Sequence, residues 1–204
     1  MATRTAKAPA APKAAKTAKA VAKGTAAADA KRARYAELGK LLSSLPCPQA
    51  LLAVQAGDAT DIAAVTAMWV SYDPVIIAVY LRPGMRTHEL VNQSRQFTIN
   101  VVDEAQNAKA LLAGSIKGDD PTKLDKLALR LEPAESVGSP RVVGAAASYE
   151  CRVLKVAACG DHDLFLGLVT GWNVRKGGKP VVRYGGRSHS VGAELEGPLV
   201  KYPH

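Results

Sequence analysis

Between residues 35 and 45 the large apolar side chains fall at Tyr35, Leu38, Leu41, Leu42 and Leu45, the spacing of one helix face, and Pro46 and Pro48 stop it. Beyond that point the period shortens. The run ALLAVQA (50–56), the turn GDATD and the run IAAVTAMWVS (62–71) predict a β-hairpin. PVIIAVYL (74–81) is rich in β-branched residues and predicts a buried strand. FTINVV (97–102), ASYECRVLKVAA (147–158), DLFLGLVTGWNV (163–174) and PVVRYGG (180–186) continue the series. Helical spacing returns in RTHELVNQS (86–94), DEAQNAKALLAG (103–114) and PTKLDKLALR (121–130). Strands dominate, without regular βαβ alternation and without an internal repeat. Hairpins such as VLKVAACGDHDLFLGLV favour a closed antiparallel barrel with helical insertions over a doubly wound sheet. In the strand after GDH, Leu164, Leu166 and Leu168 alternate with Phe165, Gly167 and Val169, which predicts burial of both faces.

Charge changes the picture mainly at one end. Residues 1–34 hold nine Lys and Arg against Asp29 alone, so this segment carries +8 of the chain's +9. With 14 Ala in its first 30 residues and almost no large apolar side chain, it is expected to be a tail that is disordered in isolation, ahead of one domain over 35–204. Were it helical on an anionic partner, Lys13, Lys16, Lys19 and Lys23 would form one cationic stripe within about a third of the circumference. Such a stripe neutralises phosphates without reading sequence. A solubilising tail, or an extension ahead of the true start, accounts for the composition equally well. Cys47, Cys151 and Cys159 form no disulfide framework, and no CxxC or HxxxH spacing suggests a metal site. A reducing cytoplasm is the simplest expectation. No apolar run approaches the roughly 20 residues of a membrane span.

Neither GxGxxG nor GxxxxGKS occurs, and no serine has a GxSxG setting, so Rossmann, P-loop and serine-hydrolase chemistry lack support. YLRPGMRTHEL (80–90) is more informative. A strand ends at Arg82-Pro83-Gly84 and a helix opens near Arg86-Thr87, so unpaired backbone N–H groups, a hydroxyl and guanidinium groups can together cradle a phosphate. The plain structural alternative is that Thr87 is a helix cap and the arginines are solvated. In VTAMWVSYDP (65–74), small residues beside Met68 and Trp69 suit a strand that lies against a planar ring, although core packing is the simpler explanation of this segment alone. His162, in CGDHDLFLGLVTG, is by periodicity a turn residue.

Taken together, VTAMWVS, DPVIIAVYLRPGMRTHEL, FTINVV, SIKGDDPTKLDKLAL, YECRV, GDHDLFLGLV and PVVRYGG resemble the flavin reductase-like family with the FMN-binding split barrel, which includes flavoredoxin and the reductase components of two-component monooxygenases. The resemblance covers about residues 45–192, in family order. It implies a mainly β fold, a six-stranded Greek-key antiparallel split barrel with helical insertions, forming a homodimer with FMN, or alternatively FAD, near the interface. Carried over by position, Thr66, Ala67, Met68 and Trp69 would lie along the flavin ring and ribityl chain, and Arg86 and Thr87 would bind its phosphate. Asn100, Ser115 and Lys117 match further cofactor-binding positions, and His162 matches a histidine near the flavin and nicotinamide. His162 is the residue expected to act in catalysis, by positioning rather than by proton transfer. The chain departs from the family pattern at Ala63 and Ala64, where asparagine is common, in a short connection from Trp69 to Asp73-Pro74, and in GGRSHS, where His189 follows in place of a tyrosine.

The resemblance implies an NAD(P)H:flavin reductase, with NADH or NADPH as donor and a monooxygenase or other acceptor of reduced flavin as partner. A tightly FMN-bound electron carrier of the flavoredoxin kind would share nearly every motif. A third reading, from another class, is nucleic-acid or polyanion binding through the basic tail.

Overall fold

The computed structural model describes residues 13–197, and side chains from residue 28 onward. Two compact units divide at Leu45. The first contains a single helix, α1 (Lys13–Ser43). It extends well upstream of the predicted Tyr35 start, in keeping with the high helix propensity of its alanines and lysines. Lys13, Lys16, Lys19 and Lys23 fall within it, while the remainder of the basic segment, residues 1–12, lies outside the described residues. Tyr35, Leu38, Leu41 and Leu42 are exposed along the helix.

The second unit is built on strands β1 (Cys47–Ala56), β2 (Ala59–Tyr72), β3 (Val75–Leu81), β4 (Gln96–Val101), β5 (Leu131–Glu132), β6 (Arg141–Val142), β7 (Ala147–Cys159), β8 (His162–Val174), β9 (Val181–Tyr184) and β10 (Arg187–Ser190). Between them lie α2 (Arg86–Ser94), a 3-10 turn at Glu104–Gln106, α3 (Asn107–Ser115) and α4 (Lys123–Leu127). The order β1-β2-β3-β8-β7-β4, with β4 pairing back to β1, closes a six-stranded antiparallel barrel. Closure rests on the register Ala50↔Val101 to Ala53↔Thr98, which leaves the six barrel strands without a free edge, and β9 and β10 extend the sheet from the start of β1.

Two cores follow from the two faces of β1. Leu52 and Val54 point into the barrel with Val79, Phe97, Ile99, Cys151 and Phe165, and α2 closes one end with Leu90 and Val91. Leu51 and Ala53 point outward and are covered with Ile62 by Ala110 and Ala113 of α3 and Leu127 of α4. Gly167 makes room for the Phe97 ring, since a Cβ there would stand 2.6 Å from Phe97 Cζ and 2.9 Å from Cys151 Cβ.

The departures from the sequence pattern are local. The helix expected over 103–114 begins as a 3-10 turn, because Asp103 caps Ala105 N–H at 3.1 Å before α3 starts. The helix expected over 121–130 stops at Leu127, where Ala128 turns left-handed at φ 47°. The strand expected over 180–186 is a hairpin, β9 and β10, turning on Gly185 and Gly186 with φ of 58° and 73°. On β8, Phe165 and Gly167 are enclosed, but Leu164, Leu166 and Leu168 on the outer face are only half-buried. Among the described residues no helix is long and apolar enough to cross a membrane.

Candidate functional site

The turn from β3 into α2 is set by Gly84, at φ 80°, and Met85, extended at the helix N-cap, so α2 opens at Arg86. The cap is not Thr87. Thr87 is one position inside the helix, buried, and its hydroxyl donates to Asp61 Oδ2 on β2. Lys123 Nζ of α4 donates to the other Asp61 oxygen at 2.8 Å, and the Lys123 and Asp61 side chains are 5% and 1% exposed. One carboxylate therefore joins β2, α2 and α4 beneath the start of α2, and its charge is balanced in place.

Above this joint the loop after α3 lies on the Arg86 stem at Gly118, where a Cβ would meet Arg86 Cβ at 2.6 Å. Arg86 and Lys117 consequently border one cavity of about 900 Å³, together with Gly84, Met85 and the rim carboxylates Asp58, Glu89 and Asp119. Asp120, also on this wall, is held well below the ordinary carboxylate range by hydrogen bonds from Lys126 Nζ and from Thr122. Neither Arg86 nor Lys117 has an ion-pair partner among the described residues, and the first N–H groups of α2 lack intrahelical acceptors. A guanidinium, an ammonium and a helix start suit a phosphate, so the donor set fits a flavin phosphate.

A second cavity, of about 420 Å³, lies further along β2, between Ala64, Val65 and Thr66 and the α3 residues Ala110, Leu111, Gly114 and Ser115, with Gln49 and Arg183 completing it. Close approach of α3 is possible because residue 114 is glycine, its notional Cβ already in van der Waals contact with Ala64 Cβ at 3.5 Å. Both cavities thus have β2 on one wall and the segment from α3 to α4 on the other.

The predicted residues divide accordingly. Arg86 and Lys117 share the larger cavity, and Thr66 and Ser115 the smaller. Ala67 packs against the barrel core, whereas Met68 and Trp69 are half-exposed further along β2, with Trp69 stacked on Tyr72 at 4.7 Å. Asn100 is fully enclosed. Its amide donates to Leu51 O and Thr98 Oγ1 and accepts from Val142 N and Ser148 Oγ, so it ties β4 to β1, β6 and β7.

His162 opens β8 opposite Cys159 and borders neither cavity. Its Nδ1 is 2.8 Å from Asp161 Oδ1, and Asp161 is 3.1 Å from Arg82 Nη2 at the end of β3. The hydrogen bond from His162 and the charges of His162 and Arg82 hold Asp161 below the usual carboxylate range. The hairpin is braced from beneath, where His88 Nε2 meets Asp163 Oδ2 at 2.8 Å and the His88 ring packs edge-on to Phe165 at 5.5 Å. Sequence reasoning overlooked Asp61, Gly118, Lys123 and Arg183. Of these only Arg183 left a signal, as a lone cation in the otherwise apolar run PVVRY.

Known proteins share the fold of the second unit. The chain is 32% identical over 175 residues to an NADPH-flavin oxidoreductase of Streptomyces viridifaciens, covering 84% of this chain and 88% of that one. An FMN-binding protein of Thermus thermophilus, solved with bound p-hydroxybenzaldehyde, superposes with a TM-score of 0.69 at 26% identity over 76% of this chain and 91% of its own. Nitrilotriacetate monooxygenase component B of Mycobacterium thermoresistibile shares the fold, with a TM-score of 0.73 at 21% identity over 84% and 94% of the two chains. The family model described as a flavin reductase like domain matches residues 42–192, and the chain belongs to that family.

Proposed function

We propose that the chain is an NAD(P)H:flavin reductase that takes FMN, with its phosphate on Arg86, Lys117 and the start of α2 and its ring and ribityl chain along Thr66 to Trp69. The observation that carries this is the alignment of two cavities on one strand, the larger bearing Arg86 and Lys117 and the smaller lined by Thr66 and Ser115. The flavin supplies the hydride-accepting ring, and the chain's own part is to bind and orient. Thr87 acts through Asp61, holding the first turn of α2 in place beside the cavity. Asn100 acts through the barrel, fixing β1 and β4. His162, at the tip of the braced hairpin, is assigned to orienting the nicotinamide.

A homodimer is part of the same reading. The register Met68↔Ala78↔Leu166 and Tyr80↔Leu164 puts these side chains on one outer face, where Met68 and Tyr80 are half-exposed. An apolar face of this kind suits an interface with a second copy. Reduced flavin would pass to a monooxygenase or another acceptor, as the name of the Mycobacterium protein suggests for its own system.

The deciding experiment follows NADH and NADPH oxidation by the purified full chain with and without added FMN or FAD. Oxidation that depends on added FMN is expected. Oxidation by a yellow protein without added flavin would instead make it a carrier with a bound prosthetic group, and no oxidation under any condition would overturn the reading. Light scattering on the same sample measures the dimer.

A further inference from the structure

The smaller cavity contains one charged group, and the reading above gives it no task. Arg183 lies on β9 opposite Cys47, and Gln49, two residues along β1, lies opposite Thr66. Residues paired across strands, or two apart on one strand, share a face, so Arg183, Gln49 and Thr66 project to the same side of the sheet, beneath α3. There they line the cavity with Ser115, and no carboxylate borders it. The guanidinium makes a single hydrogen bond among the described residues, from Nη2 to Gly186 O at a long 3.4 Å. It has no ion-pair partner there. The larger cavity differs, with Asp58, Glu89 and Asp119 on its rim opposing its two unpaired cations.

A half-buried arginine with unengaged donors, beside the hydroxyl of Thr66 and away from any carboxylate, forms a receptor for an oxyanion; the Ser115 hydroxyl on the same wall donates instead to Leu112 O at 2.8 Å. The ligands of a flavin reductase carry such a group in two places. One is the 5′-phosphate of FMN, which the reading above seats on Arg86 and Lys117 in the larger cavity, and the other is the 2′-phosphate that distinguishes NADPH from NADH. We infer that Arg183, with Thr66, binds the 2′-phosphate of NADPH in the smaller cavity and so determines which nicotinamide nucleotide the protein prefers. The inference rests on the flavin-reductase reading.

The test uses the full chain and its Arg183→Gln and Arg183→Lys variants. Two ratios are measured for each: kcat/KM with NADPH over NADH, and affinity for FMN over riboflavin by flavin fluorescence. Losing a charge-assisted contact should lower the NADPH over NADH ratio by about 10- to 100-fold in Arg183→Gln, with partial retention in Arg183→Lys. A fall confined to the NADPH ratio supports the inference, and a fall confined to the FMN ratio overturns it, since the flavin phosphate would then lie on Arg183. If the wild-type chain reduces flavin and both ratios are unchanged in Arg183→Gln, the inference is overturned and the function stands. If the wild-type chain reduces no flavin, the function reading fails and the inference fails with it.

Discussion

Gly118 lies directly against Arg86: a Cβ at residue 118 would stand 2.6 Å from Arg86 Cβ and 3.1 Å from Asp61 Oδ2. Both neighbours are held, Arg86 by the first turn of α2 and Asp61 by Lys123 and Thr87, so the loop would have to lift. Gly118→Ala should cost about 1–3 kcal/mol as overpacking. Because the displaced loop carries Lys117, the Kd for FMN should rise more than the loss of thermal stability alone accounts for. Fluorescence titration beside a melting curve separates the two.

The Asp61–Lys123 pair is enclosed, which makes one-sided removal costly. Lys123→Met leaves a buried carboxylate with only the Thr87 hydroxyl, and about 3–5 kcal/mol of stability should be lost. Asp61→Asn combined with Lys123→Met removes both charges and should recover most of that loss. Urea unfolding of the two variants checks this, and equal destabilisation in both would contradict the charge argument.

The strand series could be read from the sequence because alternation and turn residues are local signals: β7 and β8 are adjacent in sequence, and Gly160 closes their turn at φ 67°. Barrel closure could not be read in the same way, since it depends on β1 meeting β4 and on Asn100 bonding to Leu51 across 49 positions. Arg86 and Thr87 announce a helix start, but that start is held by Asp61 and Lys123, 62 positions apart, with no pattern linking them. Thr87 and Asn100 illustrate the remaining gap. As part of a phosphate cradle Thr87 is expected to contact a ligand, and by the family resemblance Asn100 is too, yet each is buried with its hydrogen bonds directed into the protein.

Glu150 predicts a pH dependence. It is fully buried on β7, and although burial pushes its pKa up, the N–H of Glu135, the hydroxyl and N–H of Ser136 and the charge of Arg141 outweigh this and hold it below its ordinary value of 4.5. A carboxylate depressed on folding stabilises the native state above its unfolded pKa, and that stabilisation is lost as pH falls through the folded pKa. Stability should therefore decline below about pH 4.5. Glu150→Gln should lose about 1.5–3 kcal/mol at pH 7 and show a shallower decline in acid, measured by denaturant unfolding across the range.

The basic N-terminal segment makes a prediction separable from flavin chemistry. Residues 1–34 carry nine of the chain's 27 Lys and Arg. If this segment contacts polyanions, retention on DNA should fall steeply with salt and vanish when residues 1–34 are deleted, while flavin reduction is unchanged. DNA retention by the truncated chain would place the contact elsewhere.

His162 is held at Nδ1 by Asp161, which Arg82 in turn anchors to the end of β3, and the imidazole side chain is 42% exposed. That leaves Nε2 without a partner among the described residues, on a partly exposed ring at the tip of a braced hairpin, an arrangement suited to binding a diffusing ligand. A lost hydrogen bond is worth about 1.4 kcal/mol, or roughly tenfold in affinity. His162→Ala should accordingly raise the apparent KM for NAD(P)H by about that factor and leave the FMN Kd within about twofold. Asp161→Asn keeps the ring but weakens its hold, so an intermediate KM is expected. Steady-state kinetics at saturating FMN measures all three proteins, and an unchanged KM in His162→Ala would remove His162 from nicotinamide binding and leave it a role in the turn alone.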